Sequence, residues 1–212
     1  MFIILQCSNP ECRMRFPAPR GASIRSCPRC AALLQSADTP FVSQRVEPDE
    51  TTAPGPEMEI VLDNVRSAFN VGSILRTADG AGIRAAHLCG ITPTPENPKV
   101  AKTALSAEFV TPWSYATNAP ETVVRLKEYG LAVWALEGGH GSISILDAVR
   151  QPPAALALVA GNELAGVDPA VLELCDRVVS LPMLGFKRSL NVAVAFGIAM
   201  YLIRFSPTLQ VG

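Results

Sequence analysis

From residue 58 onward, short apolar runs alternate with stretches of helical periodicity, and this alternation restricts the fold more than any other feature. The runs at 59–62, 85–89, 131–135, 155–160 and 178–181 have the length and composition of strands. Those at 71–81, 99–106, 121–128, 169–175 and 190–203 have the spacing of helices. Such a succession predicts an α/β domain with a largely parallel sheet covered on both faces. Hydrophobic residues make up 49% of the 212-residue chain and charged residues 17%, enough apolar material for a folded core.

The segment before residue 58 has a different character. Residues 1–35 hold Cys7, Cys12, Cys27 and Cys30, four of the six cysteines, in the pattern Cys-x4-Cys and Cys-x2-Cys. Paired, closely spaced thiolates suit tetrahedral zinc, so a small zinc-ribbon-like module is predicted, with Zn2+ compensating for a core too small to fold alone. Two disulfides or a redox Cys-x-x-Cys are the rivals; a reducing compartment disfavours the first, and the second leaves Cys7 and Cys12 unexplained. Residues 36–57 contain four prolines among acids, Ser and Thr, and read as a flexible linker, leaving 58–212 as the main domain. Cys89 and Cys175 fall in apolar patterns and read as core residues.

The net charge of −1 excludes a uniformly basic nucleic-acid binder, but the charge is unevenly placed. Residues 1–35 carry five arginines against Glu11, a balance of +4, and residues 36–59 a balance of −5. Four thiolates on one zinc would lower the first figure to about +2 and still leave a basic face. The apolar start at 1–5 is short for a signal sequence, and the run 190–203, interrupted by Asn191, falls short of a membrane span of roughly 18–20 residues; a cytoplasmic location with no membrane contact is expected.

Three blocks carry the candidate chemistry. Asn70-Val-Gly-Ser-Ile-Leu-Arg76-Thr77 reads as a helix start, with Asn70 placed to cap the first N–H groups and Arg76 on the helix. In the block 157–166, an apolar strand runs into Gly161-Asn162-Glu163-Leu-Ala-Gly166, and strand ends of this kind hold ligands in α/β sheets. The block 181–195 joins Leu181-Pro-Met183 to Ser189-Leu190-Asn191 and the last helix, which Ser189 could cap. Asp79-Gly-Ala-Gly82 lies at a helix end rather than after a strand and so fails as a dinucleotide loop.

In this order and separation the three blocks resemble the SpoU (TrmH) family of SPOUT-class methyltransferases over about residues 58–205. The segment Lys102-Thr-Ala-Leu-Ser-Ala-Glu108 is also similar to the family, although Ser106 stands where glycine is common and Ala193 where a small polar residue is common. The resemblance implies a trefoil-knotted homodimer that methylates a ribose 2′-hydroxyl of tRNA or rRNA with S-adenosyl-L-methionine. It implies a cofactor site at Gly161, Asn162, Gly166, Leu181, Met183 and Leu190. It places Arg76 at the reacting hydroxyl, arranged with Asn70, Glu163, Ser189 and Asn191. Arg76 is then either a general base or, because guanidinium is effectively never deprotonated in proteins, an electrostatic stabiliser. A non-catalytic RNA-binding or assembly factor retaining the fold is the alternative, and adenosylmethionine affinity discriminates the two.

Overall fold

A computed structural model describes residues 2–37, 55–139, 141–186 and 188–206, which fall into two compact units divided between Glu50 and Thr51. Of the predicted linker, 38–54 lie outside the described residues, while Ser36 closes a strand of the first unit and Glu57 opens one of the second.

The first unit is a three-stranded antiparallel sheet, β1 (Phe2–Cys7), β2 (Arg15–Pro19) and β3 (Leu34–Ser36), in the order β2-β1-β3. Its register pairs Leu5 with Phe16 and Ser36. Leu5, Cys7, Ala18 and Cys27 are its buried apolar side chains, a core of a size that needs a further staple.

The second unit is built on seven parallel strands in the order β6-β5-β4-β9-β7-β10-β8. In chain order these are β4 (Glu57–Asp63), β5 (Ala85–Cys89), β6 (Trp113–Ala116), β7 (Ala132–Leu136), β8 (Ile143–Ser144), β9 (Ala155–Ala160) and β10 (Arg177–Ser180). The helices are α1 (Ala68–Gly80), α2 (Pro98–Ala104), α3 (Ala119–Glu128), the single turn α4 (Ile145–Ala148), α5 (Pro169–Leu174) and α6 (Val192–Arg204). The parallel, doubly covered sheet bears out the α/β expectation. Alternate residues of the central strands face opposite cores: Ile60, Leu62, Leu156 and Leu158 pack with α1 and α6, Val61, Ala157 and Val159 with α3 and α5. In α1, Val71, Ile74, Leu75 and Ala78 form the buried stripe that a 3.6-residue period dictates.

Two local expectations are corrected. Helix α1 begins earlier than Asn70: Ser67 is its N-cap and accepts the Asn70 N–H, because a hydroxyl three residues upstream reaches that donor first. The last helix is capped by Asn191, whose Oδ1 accepts the N–H groups of Ala193 and Val194, and Ser189 lies outside it. Both corrections matter for the site, since they free the Asn70 side chain and commit that of Asn191. Among the described residues no helix is long and apolar enough to cross a membrane.

Candidate functional site

Strands β4, β5 and β9 run parallel, so the loops that follow them open on one edge of the sheet, where open α/β sheets place their ligands. The three sequence blocks meet there. The Asn191 amide donates from Nδ2 to Asn70 Oδ1 at 3.0 Å, and Asn70 donates from its own Nδ2 to Glu163 Oε1 at 2.9 Å. Glu163 also accepts the backbone N–H groups of Arg66 (2.8 Å) and Ser67 (3.0 Å), just ahead of α1. Partial burial works against its charge. Those three donors outweigh that effect and hold its carboxyl below the usual range. A carboxylate so saturated with donors is a clamp on the start of α1 rather than a proton acceptor.

Arg76 lies on the same helix, exposed, and its guanidinium has no hydrogen-bond or ion-pair partner among the described residues. Ser189 is exposed and makes no hydrogen bond among them. The structure therefore joins Asn70, Glu163 and Asn191 directly, and leaves Arg76 and Ser189 outside that chain of bonds.

The loop after β9 is a tight hairpin in which Asn162 and Gly166 exchange backbone N–H···O bonds, both of 2.9 Å. The Asn162 side chain closes it further, accepting from the Leu164 and Ala165 N–H groups. A Cβ on Gly161 would strike the backbone of Gly166 and Val167, and Gly166 has φ +79°, so both glycines are sterically required. The described residues of 181–190 form no helix or strand, and none of their backbone groups has a hydrogen-bond partner among the described residues. Met183 lines an open pocket there with Gly185, Phe186 and Arg188. Leu181 packs against the core, whereas Met183 and Leu190 remain partly exposed.

In the first unit the sulfurs of Cys7, Cys12, Cys27 and Cys30 all lie within 4.8 Å of one another, as free thiols. Cys7 and Cys30 approach to 3.4 Å and Cys12 and Cys27 to 3.8 Å. Zinc–sulfur bonds of about 2.3 Å arranged tetrahedrally give edges of about 3.8 Å. Both knuckles close alike. The N–H of Cys7 donates to Met14 O and that of Cys27 to Ala32 O, in each case two residues past the second cysteine. The intervening residues, Arg13 (φ 48°) and Ala31 (φ 60°), are both left-handed. The thiols split: burial pushes Cys7 up to about 12, while at Cys27 burial is outweighed by the Arg29 and Cys30 N–H groups with the neighbouring thiols, which hold it down to about 7. All five arginines of this unit are exposed.

Sequence reasoning missed Asp63, Asn64 and Glu137. Asp63 is buried and accepts the Asp168 N–H at 2.8 Å; loss of water raises its carboxyl above the ordinary value. Glu137, just past β7, accepts the Val167 N–H at 3.0 Å and fills the space beside Gly166. A polar residue closing an apolar strand at the ligand edge was the available signal for all three.

The sequence profile of the SpoU rRNA Methylase family matches residues 57–201. A 23S rRNA (guanosine-2′-O-)-methyltransferase, RlmB, of Neisseria meningitidis is 34% identical over 145 residues, 68% of this chain and 57% of that protein. A 23S rRNA guanosine 2′-O-methyltransferase, RlmP, of Bacillus subtilis is 37% identical over 147 residues, 68% of this chain and 57% of its own length. This chain thus spans somewhat over half the length of the curated relatives it matches. Among solved structures, the SpoU methyltransferase AviRb of Streptomyces viridochromogenes aligns with TM-score 0.63 and 27% identity, covering 69% of this chain and 58% of AviRb. An AdoMet-bound rRNA methyltransferase of Sinorhizobium meliloti aligns with TM-score 0.65 and 26% identity, covering 74% and 58% of the respective chains. With that match extending from β4 to the last helix, over the whole edge where Asn70, Glu163 and Asn191 meet, the chain belongs to the SpoU rRNA Methylase family.

Proposed function

We propose that the second unit methylates a ribose 2′-hydroxyl of RNA, with ribosomal RNA the favoured substrate because the similar curated proteins named above act on 23S rRNA. The observation that carries this reading is the bonded set Asn191–Asn70–Glu163, which joins the three motif blocks at the ligand edge of the sheet; the exposed Arg76 lies on the same helix as Asn70. Bound S-adenosylmethionine supplies an electrophilic methyl group. The chain's own residues must orient the hydroxyl and offset the negative charge that grows on its oxygen. Arg76 suits the second task as a permanent cation with five donors, gripping a phosphate or the developing alkoxide while the proton passes to phosphate or water. Asn70 and Asn191 hold their carboxamides in one orientation for the acceptor, with Ser189 nearby in sequence.

The residues fit the cofactor. The unpaired backbone of the described residues in 181–190 offers donors and acceptors suited to an adenine and an amino-acid end. Gly161 and Gly166 let the 161–166 hairpin close tightly on itself and against Glu137, which fixes where its backbone groups are presented. Main-chain groups at Gly161, Leu181 and Leu190 would hold the two ends, with Asn162 fixing the hairpin and Met183 alongside. The trefoil threading of this C-terminal segment is what the family resemblance implies.

The assembly is read as a homodimer. On α6, Val194 (53% exposed), Ile198 (42%) and Tyr201 (42%) face solvent and line a groove with Asn70, Ser73 and Thr77 of α1. An apolar helix face of this kind calls for cover. Sedimentation showing an active monomer at micromolar concentration would refute it. In the first unit the four cysteines would hold a structural zinc, and the exposed arginines would grip RNA outside the catalytic pocket. A cytoplasmic location follows from that reading.

The direct test is incubation of the protein with labelled S-adenosylmethionine and ribosomal RNA. Label on a ribose, leaving the adjacent 3′ linkage resistant to alkali, is the expected result. Label on a base would overturn the 2′-O reading; no transfer together with no cofactor affinity would favour a binding factor.

A further inference from the structure

The loops that carry the three motif blocks do not touch one another only through those blocks. Behind them sits Asn64, one residue past β4, in the left-handed region at φ 57°. Every polar group it owns is used. Its N–H donates to Cys89 O at 3.2 Å, and its Oδ1 accepts the Ile91 N–H at 3.1 Å. Its backbone oxygen accepts from Asn162 Nδ2 at 2.8 Å, and its Nδ2 donates to Asp63 Oδ1 at 2.7 Å. The second oxygen of Asp63 takes the Asp168 N–H, at the far side of the β9 loop. A Cβ on Gly90 would run into the Asn64 carboxamide, so the β5 loop is shaped around it as well. Three strand-end loops therefore converge on two adjacent side chains, one of them fully buried.

We infer that Asn64, backed by Asp63, is a positioning residue that sets the 161–168 loop against the start of α1, and with it the cofactor side of the site against Asn70 and Arg76. This rests on the proposed methyl transfer. Neither residue is assigned a contact with substrate. Their effect passes through Asn162, which shapes the hairpin, and through the 64–67 segment, whose Arg66 and Ser67 N–H groups hold Glu163. Misplacing bound reactants by about 1 Å can lower turnover roughly 100-fold, so a keystone between two loops acts on kcat rather than on affinity.

The hydrogen-bond chemistry prescribes its own rescue. Asn64→Asp sets two carboxylates against each other. Asp63→Asn sets two donors in opposition in either amide orientation, because one of its ends must face the Asp168 N–H and the other the Asn64 Nδ2. The double exchange, Asp63→Asn with Asn64→Asp, restores every bond. The new amide at position 63 keeps an oxygen for the Asp168 N–H and donates to the new carboxylate, which still accepts from Ile91. Aspartate, like asparagine, also tolerates the left-handed backbone.

The test measures kcat, both KM values and amide hydrogen exchange for the two single variants, the exchange and Asn64→Gly, which keeps the left-handed backbone and deletes the carboxamide. Each single variant and Asn64→Gly should lose roughly 10- to 100-fold in kcat, with KM for either substrate moving less than about threefold. Amides 66–67 and 164–167 should exchange faster together. The double exchange should recover most of both. Wild-type rates in Asn64→Gly, or a double exchange as slow as its single parents, would overturn the inference. So would all variants unfolding alike, which assigns the pair to stability. A wild-type protein that transfers no methyl group defeats the functional reading, while the joint change in amide exchange still reports on the coupling of the two loops.

Discussion

Asn191 gives its two side-chain ends to two helices: Oδ1 caps α6, while Nδ2 reaches Asn70 Oδ1 on α1 at 3.0 Å. Because the cap fixes one end, the orientation of the other is decided, and Asn70 must then turn its own Nδ2 to Glu163. The order Asn191 to Asn70 to Glu163 is a single directed chain of donors, ending on the most electron-rich group. Arg76 shares α1 with Asn70, is exposed and has no partner among the described residues; the proposed methyl transfer assigns it the acceptor's negative charge.

Arg76→Ala should accordingly lower turnover by about 100- to 1000-fold, the usual cost of deleting one group that stabilises a developing oxyanion. Adenosylmethionine binding by calorimetry should be nearly unchanged, since no cofactor-side loop uses Arg76. A collapse of cofactor affinity to the same degree would move Arg76 to the other side of the site. The pH–rate profile divides its two possible roles: a rate climbing steadily to high pH marks a base, and a plateau marks a fixed cation.

Glu163 makes stability depend on pH with a definite sign. Its folded pKa lies below the ordinary 4.5, so its contribution is fully present above 4.5 and is lost as pH falls through the depressed value. Asp63 acts in the opposite sense: its pKa is raised above 3.8 by burial, so its cost sets in as pH rises past 3.8 and is complete above the folded value. Glu163→Gln isolates the first effect. At pH 7 it should destabilise the protein by about 1 kcal/mol, given charged hydrogen bonds partly screened by solvent. The difference in melting temperature from wild type should shrink below pH 4.5. A difference independent of pH would show that the carboxylate's charge is not what the Arg66 and Ser67 N–H groups recognise.

The buried strands of the second unit were legible because their apolar runs leave little choice: the predicted 85–89 and 155–160 coincide with β5 and β9. Strand β6, Trp113–Ala116, was not, since it is an edge strand with exposed Trp, Ser and Tyr and carries no core signal. Nor was β8, two residues long and at the other edge. The three strands of the first unit escaped for a related reason: only one face of so small a sheet is buried, and prolines at 17 and 19 mask β2. At the site, the motif blocks announced Asn70, Glu163 and Asn191, but their mutual bonds span 93 and 121 residues of sequence. Local pattern assigned caps to Asn70 and Ser189 because it could not know which side chains the distant loops would claim. Asp63 and Asn64 read as the end of a strand and a turn.

Ser106 offers a test of backbone strain. The sequence places serine where the family commonly has glycine, and the structure supplies the reason: Ser106 has φ 79°, directly after Leu105 at 52°. A non-glycine residue held in that region costs roughly 1–3 kcal/mol, partly offset by the greater chain entropy that glycine loses on folding, about 0.5–1 kcal/mol. Ser106→Gly should therefore stabilise the protein by up to about 2.5 kcal/mol in chemical denaturation, with an unchanged denaturant slope. A destabilised variant would mean that the serine hydroxyl supports the turn between α2 and the Ala107–Phe109 helix.

The cysteine centre makes the last prediction. The two knuckles share one closing hydrogen bond and one left-handed residue, a repetition that four unrelated core cysteines have no reason to show. The protein should bind one zinc per chain, with tetrahedral sulfur coordination by X-ray absorption. Cys27→Ser combined with Cys30→Ser should release it and melt the first unit, whose apolar core is too small to fold unaided. The second unit has its own sheet and two cores, so the same variant should keep its cooperative unfolding and adenosylmethionine affinity. What it should lose is grip on RNA. Arginine–phosphate contacts release counterions, so the slope of log affinity against log salt should flatten by about 0.7–0.9 for each contact removed. A variant that loses zinc yet binds RNA with the wild-type affinity and slope would leave the five exposed arginines without a role in RNA binding and recast the first unit as a docking or stabilising module.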